Sequence, residues 1–274
     1  MPQQWPILLI IGVLAGVLSG MFGIGGGVII VPALAIIASF NTVEAISTSL
    51  AALLLPVGIF AVIAYYRAGL LRLRYAAWVA LGLLLTSYLG ASLTLSLPAD
   101  TLRRVYGVFL LYNSWRFIEP RKLLAEWQSN RTTVTVAGTT APAPKSKAGN
   151  DVVEIPLVPW YWVFGVGLIS GVASGMFGIG GGVVIVPALV AMGFDQKLAV
   201  GTSLAALLLP VGLPGVLRYA ADGALDFQVA FVVAFGLLIG AIFGAQIALN
   251  LPSKTVKRLY GVFLFFVALR FILQ

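Results

Sequence analysis

The nine residues SGMFGIGGG at positions 19–27 return unchanged at 174–182, so one apolar unit is written twice in this chain. The copy continues well beyond that string. TSLAALLLPVG at 48–58 recurs at 202–212, and YGVFL at 106–110 recurs at 260–264. Pro32 comes back as Pro187, Leu97-Pro98 as Leu251-Pro252, and Arg116-Phe117 as Arg270-Phe271. A unit of this length far exceeds the roughly 20 to 50 residues of a solenoid repeat. Two related hydrophobic halves are instead a common plan among secondary transporters.

Hydrophobic residues make up 60% of the 274 and charged residues only 9%, which leaves too little polar surface to cover a soluble domain. No Asp, Glu, Lys or Arg occurs at 1–43, 45–66, 75–99, 156–194, 198–217 or 227–253. Charge-free apolar runs of about 18 or more residues read as membrane helices, because about 20 residues at 1.5 Å each cross the hydrocarbon. The chain is therefore expected to be an all-α, polytopic integral membrane protein. Its net charge of +8 sits at the ends of the apolar runs, not in a basic stripe, so it reads as anchoring and not as nucleic-acid binding. Cysteine and histidine are both absent, which removes thiolate nucleophiles, histidine bases and the usual transition-metal ligands. An enzyme, a metal site and a cofactor are accordingly not expected. The first apolar stretch lacks a basic n-region and recurs in mid-chain, so it is read as a retained structural segment.

The expected organisation is a first transmembrane repeat at 1–118, a flexible polar linker at 119–156 and a second repeat at 157–274. The linker contains a Thr/Ala/Pro/Ser-rich stretch without apolar periodicity. Each repeat should hold about four helical elements. In the first, 7–39 is too short for two crossings and too long for one, so it is read as two short half-helices joined at a glycine break. Clear crossings are expected at 45–66, 75–97 and 101–118, then at 198–219, 227–251 and 255–273. The length argument favours a re-entrant glycine element and inverted halves; a crossing element would make them parallel.

A main chain that breaks inside hydrocarbon leaves N–H and C=O groups unpaired at several kcal/mol each, roughly, and persists only where protein or a polar cavity satisfies it. The two breaks place Gly23, Gly25, Gly26 and Gly27, and again Gly178, Gly180, Gly181 and Gly182, at the start of a following helix. Helix N-termini carry free amides and a dipole that attract anions, and glycine lets a solute approach the backbone. Simple close packing of helices is the alternative. A nucleotide loop is not, since no Lys-Ser or Lys-Thr follows the glycines.

Thr48 and Ser49, with Thr202 and Ser203, offer hydroxyl donors to an oxyanion, or bond back to their own helix carbonyls. Pro56 and Pro210 interrupt the same segments and invite kinks. Arg104, Arg116, Arg258 and Arg270 are weaker candidates, as counter-charges in a cavity or as side chains snorkelling to the interface. Gln246 is a polar residue isolated in an apolar run, as is Asn113; each either marks a site or bridges helices. No carboxylate lies within the clear spans, so no proton relay is visible. Asp222 and Asp226 are the exceptions to weigh, with a loop position expected for both. Leucine at Gly26 or Gly181 is expected to block flux more than leucine at Gly12, away from the break.

The duplicated GxGGG element, the TSLA block with its proline, and the LP segment followed by a basic pair and YGVFL resemble the sulfite exporter TauE/SafE family of membrane permeases, across nearly everything except the linker. The resemblance implies a multi-pass permease of the bacterial inner membrane moving a small sulfur-containing anion, such as sulfite, sulfoacetate or another organosulfonate, often outward. It carries the glycines and the Thr-Ser pairs over as motif positions; their role in anion contact is inferred from backbone physics. The expected partners are a small anionic solute and membrane lipid, with no nucleic acid. Ion-coupled uptake of a sulfonate or sulfate, and a non-transporting membrane scaffold, are the alternatives.

Overall fold

The computed structural model describes residues 5–22, 25–56, 58–118, 158–250, 262 and 265–273, and the regular structure among them is helical throughout. Gly23, Arg258 and the whole expected linker lie outside the described residues. The first half contributes α1 (Trp5–Phe22), α2 (Gly27–Ile36), α3 (Thr42–Ala52), α4 (Ile59–Arg67), α5 (Leu73–Ser96) and α6 (Ala99–Ile118). The second contributes α7 (Trp160–Phe177), α8 (Gly182–Ala191), α9 (Gln196–Leu208), α10 (Leu213–Ala221) and α11 (Phe227–Asn250). The written copy has a folded counterpart. Helices α1, α2, α4 and α5 run 18, 10, 9 and 24 residues, and α7, α8, α10 and α11 have those same lengths.

Two compact units emerge, Met1–Tyr106 with Pro156–Pro252, and Gly107–Ile155 with Ser253–Gln274. Each draws on both sides of the linker. In the larger unit the halves are interlocked, because α1 packs along α11 and α5 along α7. Glycine makes these seams close. A Cβ at Gly12, Gly16 or Gly240 would run into the carbonyl oxygen of Val233, Leu237 or Val13. The α5 to α7 seam is also stitched by hydroxyls, with Thr86 Oγ1 donating to Leu168 O at 2.7 Å and Thr94 Oγ1 to Met176 O at 2.8 Å. Both pairs run parallel. Gly12 meets Val233, Gly16 meets Leu237 and Ala241, and Gly244 meets Val17, so the register climbs together. Likewise Gly167 meets Val79 and Gly175 meets Ser87 and Ala91.

The span count differs from the sequence expectation. Four described helices, α1, α5, α7 and α11, are long and apolar enough to cross a membrane, and α9 with α10, bent by 47°, adds a fifth if the pair is one span and not a re-entrant loop. The segments 45–66 and 198–219, read as single crossings, are each broken in two. Pro56 and Pro210 sit in the breaks, where the missing N–H removes a helix bond and the ring crowds the preceding turn. The element before each glycine break is also no half-helix. At 18 residues, α1 and α7 have full spanning length, and only α2 and α8 are short. Helix α6 reaches 20 residues, yet Asp100, Arg103, Arg104 and Arg116 keep it from being apolar enough.

In the smaller unit, Gly107 packs against Ile272 and Ala268. Asn113 is buried there and donates to Phe109 O of its own helix at 2.7 Å.

Gly12 does not serve as a neutral control, since it lies on the α1 to α11 seam. Gly165 does, because a Cβ there meets nothing within 4 Å. Leucine at Gly240 is expected to destabilise the detergent-purified protein by about 3 kcal/mol or more through backbone overlap, whereas leucine at Gly165 changes stability by about 0.5 kcal/mol or less. Thermal unfolding followed by circular dichroism checks both.

Candidate functional site

The two glycine segments fold as left-handed turns, not as continuous helix. Gly25 and Gly26 have φ of 81° and 80°, and Gly178, Gly180 and Gly181 have 65°, 73° and 88°. A side chain would be strained at each, which is why the nonapeptide needs glycine there. Gly26 caps α2 and Gly181 caps α8. The first donors to the cap carbonyls are Ile29 and Ile30 at 3.0 and 3.2 Å, and Val184 and Ile185 at 2.9 and 3.1 Å. The amides of Gly27, Val28, Gly182 and Val183 come before any carbonyl of their own helix can accept them.

The turns also touch each other. A Cβ on Gly25 would lie 3.1 Å from Ile179 O and 3.7 Å from the Gly180 Cα, and one on Gly27 would overlap the backbone of Gly178 and Ile179. Glycine is thus required twice over, for its dihedrals and for the crossing. Part of the polar backbone that the crossing exposes is satisfied from the other half. Ser49 Oγ, on α3, donates to Gly178 O at 2.6 Å.

Beside the crossing lies a small, partly open cleft of about 30 Å³. Ser19, Gly25, Leu50, Leu53 and Gly58 line it from the first half, and their repeat counterparts Ser174, Gly180, Leu204, Leu207 and Gly212 from the second, joined by Val211. The lining is uncharged. Its polar groups are the two serine hydroxyls and the main chain of the glycine turns.

The structure brings some of the expected residues to this cleft and leaves others elsewhere. Gly25 and Gly180 line it, while Gly26, Gly27, Gly178, Gly181 and Gly182 form the turns and helix starts next to it. Thr48, Ser49, Thr202 and Ser203 are fully buried but are not part of the lining. Ser49 ties α3 to the second turn, and Thr202 Oγ1 accepts from the Arg72 amide at 3.3 Å. Thr48 Oγ1 is buried without a hydrogen-bond partner among the described residues. Arg104, Arg116, Arg270 and Gln246 are exposed and do not line the cleft. Ser19 and Ser174 escaped the residue-by-residue reading, although each opens the repeated nonapeptide. The Leu50 and Leu204 pair sits likewise in the block repeated without change.

The family model described as sulfite exporter TauE/SafE matches residues 8–271. The chain belongs to that family. Among curated relatives of this TauE/SafE protein, a probable membrane transporter of Methanocaldococcus jannaschii is 27% identical over 78% of the chain and 72% of the relative. The probable membrane transporter YunE of Bacillus subtilis is 24% identical over 99% of the chain and 98% of its own length. A third, from Haemophilus influenzae, is 26% identical over 79% and 74%. No solved structure gives a significant match. The TauE/SafE chain is thus a multi-pass protein of the inner membrane, and its family and relatives are transporters, not enzymes.

Removing the Ser49 hydroxyl strands the Gly178 carbonyl in a buried turn. Ser49→Ala is expected to lower stability by about 1 to 3 kcal/mol. Ser96→Ala, which loses only an exposed bond to Leu93 O, should cost about 0.5 kcal/mol or less. Thermal unfolding of the two purified variants provides the comparison.

Proposed function

We propose that this TauE/SafE protein exports a small sulfur-containing anion, sulfite, sulfoacetate or a related organosulfonate, by alternating access around the cleft at the crossed glycine turns. The observation that carries the reading is the pairing of two helix starts, at Gly27 and Gly182, with one uncharged cleft. Free amides and the positive end of each helix dipole favour an anion there, and no carboxylate stands in the lining. The short α2 and α8 behind the turns match the broken helices that build central sites in secondary transporters.

Helix directions support an inverted relation between the halves. Ser87 of α5 donates to Val211 O at 3.2 Å and also stands against Gly215, so the start of α10 lies level with Ser87. The Tyr219 hydroxyl, further along α10, is within reach of Thr94, further along α5. An antiparallel α10 would put those groups more than about 10 Å apart at 1.5 Å per residue, so α10 and α5 run the same way. Five residues, 222–226, join α10 to α11, and we take this connection as a reversal. Helix α11 thus opposes α5, whose repeat counterpart it is, and inverted repeats are the geometry that alternating access exploits.

Direction follows from energetics. No carboxylate lines the cleft to carry a coupled proton. An anion leaving a cell that is negative inside gains about 2.3 kcal/mol per charge per 100 mV, so export requires no relay, whereas concentrating uptake would require a coupling ion.

Purified protein in liposomes should release sulfite with net charge movement and without dependence on a proton or sodium gradient. Gly181→Leu, which forces a side chain into a left-handed turn, should cut that flux about tenfold or more, while Gly165→Leu keeps it. Dependence on a gradient would favour coupled uptake. A folded protein that moves no sulfur anion would favour the scaffold alternative.

A further inference from the structure

Hydroxyls in apolar helices normally bond back to a carbonyl one turn earlier. Several here do: Thr86 donates to Gly82 O at 3.0 Å and Thr94 to Gly90 O at 3.3 Å, in addition to their bonds across the seam. Ser170 and Ser174 of α7 break the pattern. Both are fully or almost fully buried, at 0% and 1% exposure, and neither Oγ has a hydrogen-bond partner among the described residues. A buried hydroxyl without a partner costs roughly 1 to 3 kcal/mol, so two on one helix face call for a ligand.

Their position names the ligand's chemistry. Ser174 lines the cleft. Ser170 lies one turn earlier on α7, and its Cβ is 3.4 Å from where a Cβ on Gly181, the cap of α8, would stand. The orphan hydroxyls thus flank the start of α8. Ser19, the repeat counterpart of Ser174, is 6% exposed and also lines the cleft, and its Cβ is 3.5 Å from where a Cβ on Gly26, the cap of α2, would stand. The repeat counterpart of Ser170 is Ala15, so the second half offers one more donor than the first. All of these groups can donate, and no Arg or Lys joins them.

We propose that Ser174 and Ser19 are direct hydroxyl ligands of a single oxyanion seated between the starts of α2 and α8, and that the site takes a singly charged oxyanion, a hydrogen sulfite or monosulfonate, in preference to a doubly charged one, which ranks sulfoacetate, a dianion at neutral pH, below the other candidates. The inference rests on the anion-transport reading above. Its charge selectivity follows from the lining. The cost of stripping water from an ion rises with the square of its charge, and neutral donors without a cationic partner offset one charge far better than two. Ser174 carries more of the binding than Ser19, because it sits in the half where Ser170 adds its own unused hydroxyl.

The test uses the full chain in liposomes, with methanesulfonate as the singly charged probe and sulfate as the doubly charged one. The wild-type KM for methanesulfonate should lie about tenfold or more below that for sulfate. Ser174→Ala should raise the methanesulfonate KM by about 10- to 100-fold, the loss expected for a hydrogen bond to a charged group, with kcat within about twofold. Ser19→Ala should raise it less. Since the chain has no cysteine, Ser174→Cys also gives a single reporter thiol. Methanesulfonate should slow its alkylation by iodoacetamide and leave alkylation of Gly165→Cys unchanged. An unaltered KM in Ser174→Ala, or a Ser174→Cys thiol that methanesulfonate does not protect, overturns the ligand assignment. Equal KM values for the two probes overturn the charge preference. If folded wild-type protein moves neither probe nor sulfite, the transport reading itself fails, and that outcome is distinct from the other two.

Discussion

Within hydrocarbon a peptide group has no water to turn to, so any break in a helix must find its hydrogen-bond partners in the protein. This constraint shapes the centre of the molecule. Both halves break their chain after an 18-residue helix, and the two breaks are laid across each other. Residues with side chains could not adopt the turns, nor let the backbones approach so closely. The carbonyl of Gly178 is then met by Ser49 from the other half. The second turn is thus tied by the first repeat, and the two turns pack on each other.

The same exchange organises the longer helices. The first helix of one half lies along the last long helix of the other, in both directions of the swap, and glycines bring the backbones together along both seams. Small residues drive such association in membranes, where lipid is as apolar as leucine and close packing supplies the attraction. The tight pairs α1 with α11 and α5 with α7 suit the role of rigid bodies. The broken segments α3 to α4 and α9 to α10 connect them, and their breaks at Pro56 and Pro210 contribute Gly58 and Gly212 to the cleft. Under the proposed mechanism a bend at these breaks alters the cleft wall directly, without disturbing either seam.

Much of this was legible in the sequence because duplication reports on geometry. The identical SGMFGIGGG strings announced two equivalent backbone breaks, and the left-handed dihedrals of Gly25, Gly26, Gly180 and Gly181 answer to that pattern. Hydropathy, by contrast, averages over residues and does not see the main chain. The runs at 45–66 and 198–219 are apolar enough to look like single spans, although the proline in each splits it in two. Ser19 and Ser174 were passed over for a related reason. A serine in an apolar helix is ordinarily absorbed by its own backbone, and only coordinates reveal that Ser174 is not. Gly12 looked remote from the break in sequence, yet seams between helices distant in the chain leave no local mark. The arginines stood out because charge is conspicuous in a chain so poor in it, and conspicuousness is no guide to which way a side chain faces.

An anion site made only of amides and hydroxyls, as proposed, would have a further consequence for transport. A buried Arg paired with an anion gains strongly from Coulomb attraction in a low dielectric, and that gain must be given back before the solute can leave. Neutral dipoles hold an anion less tightly and are not left as an uncompensated charge when the site empties. An empty carrier with a bare arginine at mid-depth would also have to carry that charge through every return step, against about 2.3 kcal/mol per 100 mV in one direction. The uncharged lining of this cleft removes that cost. Under the proposed function only the loaded form would feel the membrane potential, which would drive a negative solute outward and leave the empty carrier free to reset at any voltage.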